Sequence, residues 1–315
     1  MVIMKTIRQF ATIGEAMIEL SHQSERQLNM NFAGDTINIT TYLARYTQHT
    51  HVQTNYITAL GTDPYSNMMI AQWQQEGINT QQVHQLQSKL PGLYLIRTDA
   101  NGERHFYFYR SASAARELFK GDYVKDLCKH LVKMNYLYLS LITLAIFDEA
   151  SRQLLLQVLA DAKKNGATII FDSNYRPALW PDAATAQAVY KDIIKYVDIA
   201  LPTFDDEQKL FNDASIQACA ERLLQWGVKE IAIKRGNEPC YILTEQKKIE
   251  VPAEKVAKVV DTTSAGDSFN AAYLAARMLN YPPEQAAQYG HKLASIVITC
   301  PGAIIPRDKM PVLFK

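Results

Sequence analysis

Apolar residues recur along this chain in two alternating rhythms. Short runs dense in β-branched and aromatic residues read as strands: FATIG (10–14), VQTNYITAL (52–60), YLYLSL (136–141), TIIFD (168–172), DIALP (198–202), and EIAIK (230–234) with CYIL (240–243). Between them lie longer stretches with apolar residues three to four apart. These predict helices from about Asp35, Tyr65, Asp148, Ala183 and Asp205, and a further one running out of DTTSAGDSF (261–269). Such alternation implies an α/β fold whose central sheet is mainly parallel and covered by helices on both faces.

Two segments, about 15–33 and 92–110, break the rhythm, because each reads as strands with no helix between. They predict a small separate sheet, a lid carried by one domain spanning 1–315. In GLYLIRTDANGERHFYFYR (92–110) two aromatic-rich strands flank Asn101 and Gly102, a tight-turn dipeptide that predicts a hairpin. Alternating side chains cannot all meet one core, so the hairpin is expected to cover a ligand or a partner subunit. The glutamine-rich stretch 72–89 reads as a helix closed by Gly77 and then solvated surface.

Composition narrows the chemistry. With 315 residues, 48% of them hydrophobic, the chain can bury a large core. Its 33 Lys and Arg balance 32 Asp and Glu, and no basic stripe with interleaved aromatics appears, which argues against nucleic acid and favours a small-molecule substrate. Cys128, Cys219, Cys240 and Cys300 are too scattered for a zinc or disulfide framework. With no export or membrane-spanning segment read from the sequence, a reducing cytoplasm is the expected setting. There is no GxxxxGK[ST] loop, no GxG pair, no GxSxG elbow and no HExxH helix, so a nucleotide would have to be held in some other way.

DTTSAGDSF offers that way. Small polar residues around Gly266 break directly into an apolar helical pattern, and a helix N-terminus presents free N–H groups and positive potential to an anion. A carboxylate at Asp267 would repel a merely bound phosphate, but it suits phosphoryl transfer to an alcohol, where a base orients the hydroxyl. Helix capping by Asp and Ser explains the same letters equally well. The helix dipole predicts a depressed pKa for Asp267.

DTTSAGDSF resembles the second signature of the ribokinase-like, or PfkB, family of carbohydrate kinases, usually DTxGAGD, with Ser264 in place of a glycine. NFAGDTINIT (31–40) resembles the first signature, with Ala33 replacing one glycine while Gly34 and Asn38 match. ALGTDPYSNMM (59–69), FDSNYRPALWP (171–181), FDDE (204–207), KRG (234–236) and GAIIPR (302–307) extend the resemblance over nearly the whole chain. It implies a ribokinase-like fold and phosphorylation by ATP with Mg2+ of the C6 hydroxyl of 2-keto-3-deoxygluconate. The alternatives are a neutral-sugar kinase of the same family, such as one for fructose, or a non-catalytic sugar-acid sensor.

By the same resemblance Asp267 is the base, and the backbone of Ala265, Gly266 and Asp267 is the anion hole. Gly34, Asp35 and Asn38 contact the substrate, with Tyr94, Tyr109, Arg110 and Arg176 completing its pocket. A sugar acid needs a cation for its carboxylate, and arginine forks suit that task at Arg110 and Arg176. ATP is expected at Asn174, Lys234, Gly236, Ser264, Ala265, Gly266, His291 and Ser295. Asp206 and Glu207 are expected to hold the magnesium through water. Lid strands of this family can pair between subunits, so a homo-oligomer is a further expectation.

Overall fold

The computed structural model describes residues 7–99 and 104–314. Its first half runs β1 (Arg8–Ile13), β2 (Met17–His22), β3 (Leu28–Ala33), α1 (Asp35–Thr47), β4 (Val52–Leu60), α2 (Pro64–Gln75), β5 (Val83–Gln85), β6 (Gly92–Thr98), β7 (Arg104–Tyr109), α3 (Val124–Leu131), β8 (Tyr136–Ser140), α4 (Leu141–Ile146) and α5 (Glu149–Lys164). It continues with β9 (Thr168–Asp172), α6 (Ala183–Ile194), β10 (Ile199–Ala200), α7 (Phe204–Phe211), α8 (Ile216–Gln225), β11 (Glu230–Arg235), β12 (Glu238–Thr244), β13 (Lys248–Val251), α9 (Ala265–Met278) and α10 (Pro283–Val297).

The large sheet has the order β13-β12-β11-β10-β9-β8-β1-β4-β5, parallel from β11 to β5 and antiparallel at the β11–β12–β13 edge. Strand alternation sends Ala11, Ile13, Leu137, Leu139 and Phe171 into a core shared with α5, α6 and α8. Their neighbours Phe10, Tyr138 and Ile170 enter a second core built with α1, α9 and α10. A parallel sheet buried on both faces explains the nearly continuous apolar runs of its strands.

Strand order reverses direction between β1 and β8, and ligands of open α/β sheets bind beyond the strand C-termini at such a switch point. Here the chain leaves β1 through Glu15 into the second sheet, β3-β2-β6-β7, in which β2 runs parallel to β6. That sheet is the lid expected from 15–33 and 92–110, although Asn101 and Gly102 lie outside the described residues. Ile18, Leu20, Phe32 and Leu93 on one lid face pack against Tyr56 and Trp73. Glu19, Tyr94, Phe106 and Phe108 point from the other, by the strand registers.

Two local readings are amended. The helix of the glutamine-rich stretch ends as expected, with Gly77 at φ 81°, but the surface beyond it contains the edge strand β5. Besides the expected elements, α3, α4, α8, α10 and β13 complete the layers.

Candidate active site

A turn from Thr262 to Ala265 feeds α9, with the Ala265 N–H 3.2 Å from the Thr262 carbonyl. Ser264, third in that turn, has φ 63° and ψ 13°, a left-handed conformation that costs a non-glycine residue about 1 kcal/mol. The turn thus explains why a glycine is usual there. In it the Ala265 N–H, expected in the anion hole, is directed to the Thr262 carbonyl. Gly266 and Asp267 remain as first-turn donors with no acceptor inside the helix, at its positive end. A Cβ on Gly266 would find only the Lys234 ammonium, 3.7 Å away at ordinary contact distance, so a cation stands beside this loop.

α1 packs on α9 and brings the two signatures together. Asn38 donates from Nδ2 to Asp267 Oδ2 at 2.8 Å, and its Oδ1 accepts the Gly34 N–H at 3.4 Å. Gly34 cannot carry a side chain, because a Cβ would lie 2.3 Å from the Glu15 carbonyl oxygen. Asp35 accepts from Ser140 Oγ at the end of β8 and from Asn174 Nδ2 at 3.1 Å. Asn174, expected at the nucleotide, is therefore bound to the side chain expected at the substrate.

A buried polar centre underlies these groups. Lys234 Nζ reaches Asp172 Oδ2 and Asn270 Oδ1, each at 2.9 Å, and Asn270 Nδ2 reaches Asp172 Oδ2 at 2.6 Å. Asp172 and Asn270 went unnoticed in the sequence. The signal was present for Asp172, a carboxylate closing a buried parallel strand at the sheet's ligand edge.

The surroundings raise, rather than depress, the pKa of Asp267. Burial is the main cause, the Asp35 and Asp172 carboxylates add to it, and the Asn38 hydrogen bond and Lys234 oppose it, leaving a value of about 7. Desolvation therefore dominates at this carboxyl, in the opposite direction to the expected depression. Burial also pushes the Asp35 carboxyl above its ordinary value.

On the lid, Tyr94 is buried, and its hydroxyl donates to Glu19. Its ring lies 5.5 Å from that of Phe108. Arg110 forms an ion pair with the buried Glu15 and stands over the Phe108 ring, 5.8 Å from its centroid. Its buried Nε has no partner. Tyr109 faces the other way, paired across the strands with Leu93, and is 67% exposed. The aromatic residue beside Arg110 on the Tyr94 face is Phe108, one position before Tyr109.

Other expected contacts are engaged elsewhere. Arg176 turns to Asp206, 3.3 Å away, and to the Tyr175 carbonyl, and no contact joins it to Arg110. Glu207 is wholly buried, with Tyr190 OH 2.8 Å from one oxygen and Arg222 2.7 Å from the other. It is a structural ion-pair partner and no open metal ligand. Glu207, Asp213 and Cys219 also come within ligating distance of one another, but the Arg222 guanidinium already pairs with both carboxylates. Asp206 is left as the carboxylate on that side, with its pKa raised chiefly by burial.

His291 is packed inside, its Nε2 3.1 Å from the Val251 carbonyl and its ring 5.1 Å from that of Phe269, and burial lowers its pKa. Ser295 Oγ bonds the Lys292 carbonyl within its own helix. Gly236 supplies the left-handed residue of the exposed β11–β12 turn.

A family model described as pfkB family carbohydrate kinase matches residues 8–310. A protein of Dickeya dadantii named 2-dehydro-3-deoxygluconokinase is 44% identical over 97% of this chain and 99% of its own length. Its namesake in Escherichia coli K12 is 42% identical over 96% and 99%. Among solved structures, an Escherichia coli protein provisionally named ribokinase II, in complex with ATP and Mg2+, superposes with a TM-score of 0.82 at 21% identity, covering 97% of this chain and 96% of that one.

Proposed function

The chain belongs to the pfkB family of carbohydrate kinases, and from that premise we propose that it transfers the γ-phosphoryl group of ATP to the C6 hydroxyl of 2-dehydro-3-deoxygluconate. The observation that carries the reading is the placement of Asp267, its carboxylate steered by Asn38 beside two first-turn N–H donors and the Lys234 ammonium.

In this reading the free Asp267 oxygen orients the sugar hydroxyl and takes its proton. A carboxyl with a pKa of about 7 is a better base than an ordinary aspartate and is still substantially ionised at neutral pH. The Gly266 and Asp267 N–H groups and Lys234 hold the charge of the phosphoryl group in flight, where fixed donors act without reorganising. Because phosphoryl transfer passes through a loose transition state, positioning supplies most of the rate.

Magnesium usually arrives with the nucleotide's phosphates and keeps several waters, and it would neutralise phosphate charge. Asp206 suits such an outer, water-mediated role, whereas Glu207 does not. For the sugar acid's carboxylate, Arg110 is the better placed arginine, since it shares the lid face of Tyr94 and its charge acts on Asp35. Tyr94 and Phe108 supply the pocket's apolar wall.

Phosphorus-31 NMR of a reaction with ATP, Mg2+ and the keto acid tests the transfer. A phosphomonoester coupled to two methylene protons is the expected product. A phosphate on a secondary carbon, or no ester at all, would overturn the assignment.

A further inference from the structure

Arg104, the first residue of β7, points from the Tyr94 face of the lid into the loop that precedes α9. Its Nη1 donates to Asp261 Oδ1 and to Thr263 Oγ1, while its guanidinium lies 5.5 Å from the centroid of Phe106. Asp261 is a hub: Oδ1 also accepts the Thr263 N–H at 2.9 Å, and Oδ2 accepts the Gly302 N–H at 2.8 Å. Burial raises the pKa of that carboxyl, but the two N–H donors and Arg104 outweigh it, so the group is held as an anion. One lid cation thereby fixes the stretch of backbone that ends, three residues after Thr263, at Gly266.

We propose that Arg104 is a positioning residue that locks the anion loop to the lid, making a seated lid a condition for correctly aimed Gly266 and Asp267 N–H donors. It touches neither sugar nor phosphate; it acts through Asp261 and Thr263. Misplacement of catalytic groups by about 1 Å can cost about 100-fold in rate. Loss of the latch therefore lowers kcat more than it weakens substrate binding. The lid's sugar contacts and the loop's phosphate contacts become one mechanical unit, which favours transfer to the sugar over transfer to water.

The kinetic arm rests on the kinase reading above; a second arm does not. In the full-length protein, Arg104→Met is expected to lower kcat about 10- to 100-fold while KM for the keto acid changes less than about 3-fold. Arg104→Lys, or guanidinium ion added to Arg104→Met, is expected to restore part of the loss. Without any substrate, hydrogen exchange in peptides spanning 261–268 and 300–304 is expected to be faster in Arg104→Met than in the parent, because the Asp261 carboxylate and Thr262 carbonyl that accept from the Thr263, Gly302 and Ala265 amides are no longer held in place by Arg104.

A parent enzyme inactive on every sugar acid, together with this exchange difference, overturns the kinase reading and leaves the latch standing. An active parent with an Arg104→Met variant whose kcat and exchange match it overturns the latch. So does a loss of kcat that neither lysine nor guanidinium relieves.

Discussion

At the scale of single residues, the site is governed by how poorly its carboxylates are solvated. A first-turn aspartate should ionise readily, yet Asp267 shares its cleft with Asp35 and Asp172, and its pKa climbs to about 7. Two consequences follow with opposite signs. In the proposed reaction the ionised form of Asp267 is the base, so kcat/KM is expected to rise with pH and level off above about 7; a profile flat from about pH 5 to about pH 9 would contradict this role. Stability runs the other way. The folded protein retains a proton that the unfolded chain releases near 3.8, so this group's contribution to stability falls as pH rises from about 4 to about 7. Asp267→Asn is expected to lose about 100- to 10,000-fold in kcat, with ATP affinity nearly unchanged. The same variant is expected to melt higher than the parent above about pH 8, with the difference shrinking towards pH 5. Calorimetry across pH, read beside the rates, checks both halves. The letters DTTSAGDSF pointed to Asp267 but not to this pKa, because Asp35 and Asp172 are 232 and 95 residues distant in sequence (267 − 35 and 267 − 172).

At the scale of elements, the two rhythms of apolar spacing predicted most strands and helices near their observed positions, since a half-buried helix and a fully buried strand leave different periods in the chain. The lid was legible for the same reason: strands without an intervening helix cannot join a parallel sheet. Its facing was not. A hairpin's register fixes which side chains share a face, and a one-residue slip exchanges the faces. FYFYR (106–110) reads plausibly either way, and the pairing of Tyr94 with Phe108 decides it. Phe108→Ala is therefore expected to raise KM for the sugar acid about 10-fold, in line with about 1–3 kcal/mol for a lost apolar contact. Tyr109→Ala is expected to change KM less than about 2-fold. Steady-state kinetics of the pair decide between the faces, and equal effects would show that the lid closes differently.

At the scale of the whole molecule, the site stands where β1 and β8 diverge, roofed by the lid and floored by a polar centre that joins β9, β11 and α9. Lys234 carries the only positive charge of that centre's described hydrogen bonds, balancing Asp172. Lys234→Met would leave the Asp172 carboxylate buried and unpaired and is expected to destabilise the fold by about 3–5 kcal/mol. Urea unfolding measures it, and a change below about 1 kcal/mol would mean that the centre is more hydrated than its burial suggests. Sequence reading located both signatures and the sheet edge, but it could not foresee that Arg222 claims Glu207 or that His291 packs against Phe269. Such partners are chosen by packing between distant segments, and local pattern carries no trace of them. The most direct test of the whole account is ADP release with ATP and Mg2+, comparing 2-dehydro-3-deoxygluconate with gluconate, fructose, ribose and adenosine at matched concentrations. The account predicts a kcat/KM for the keto acid about 100-fold or more above the neutral fructose, ribose and adenosine, which would leave the buried Arg110 Nε without an acceptor; equal or faster turnover of a neutral sugar would contradict it.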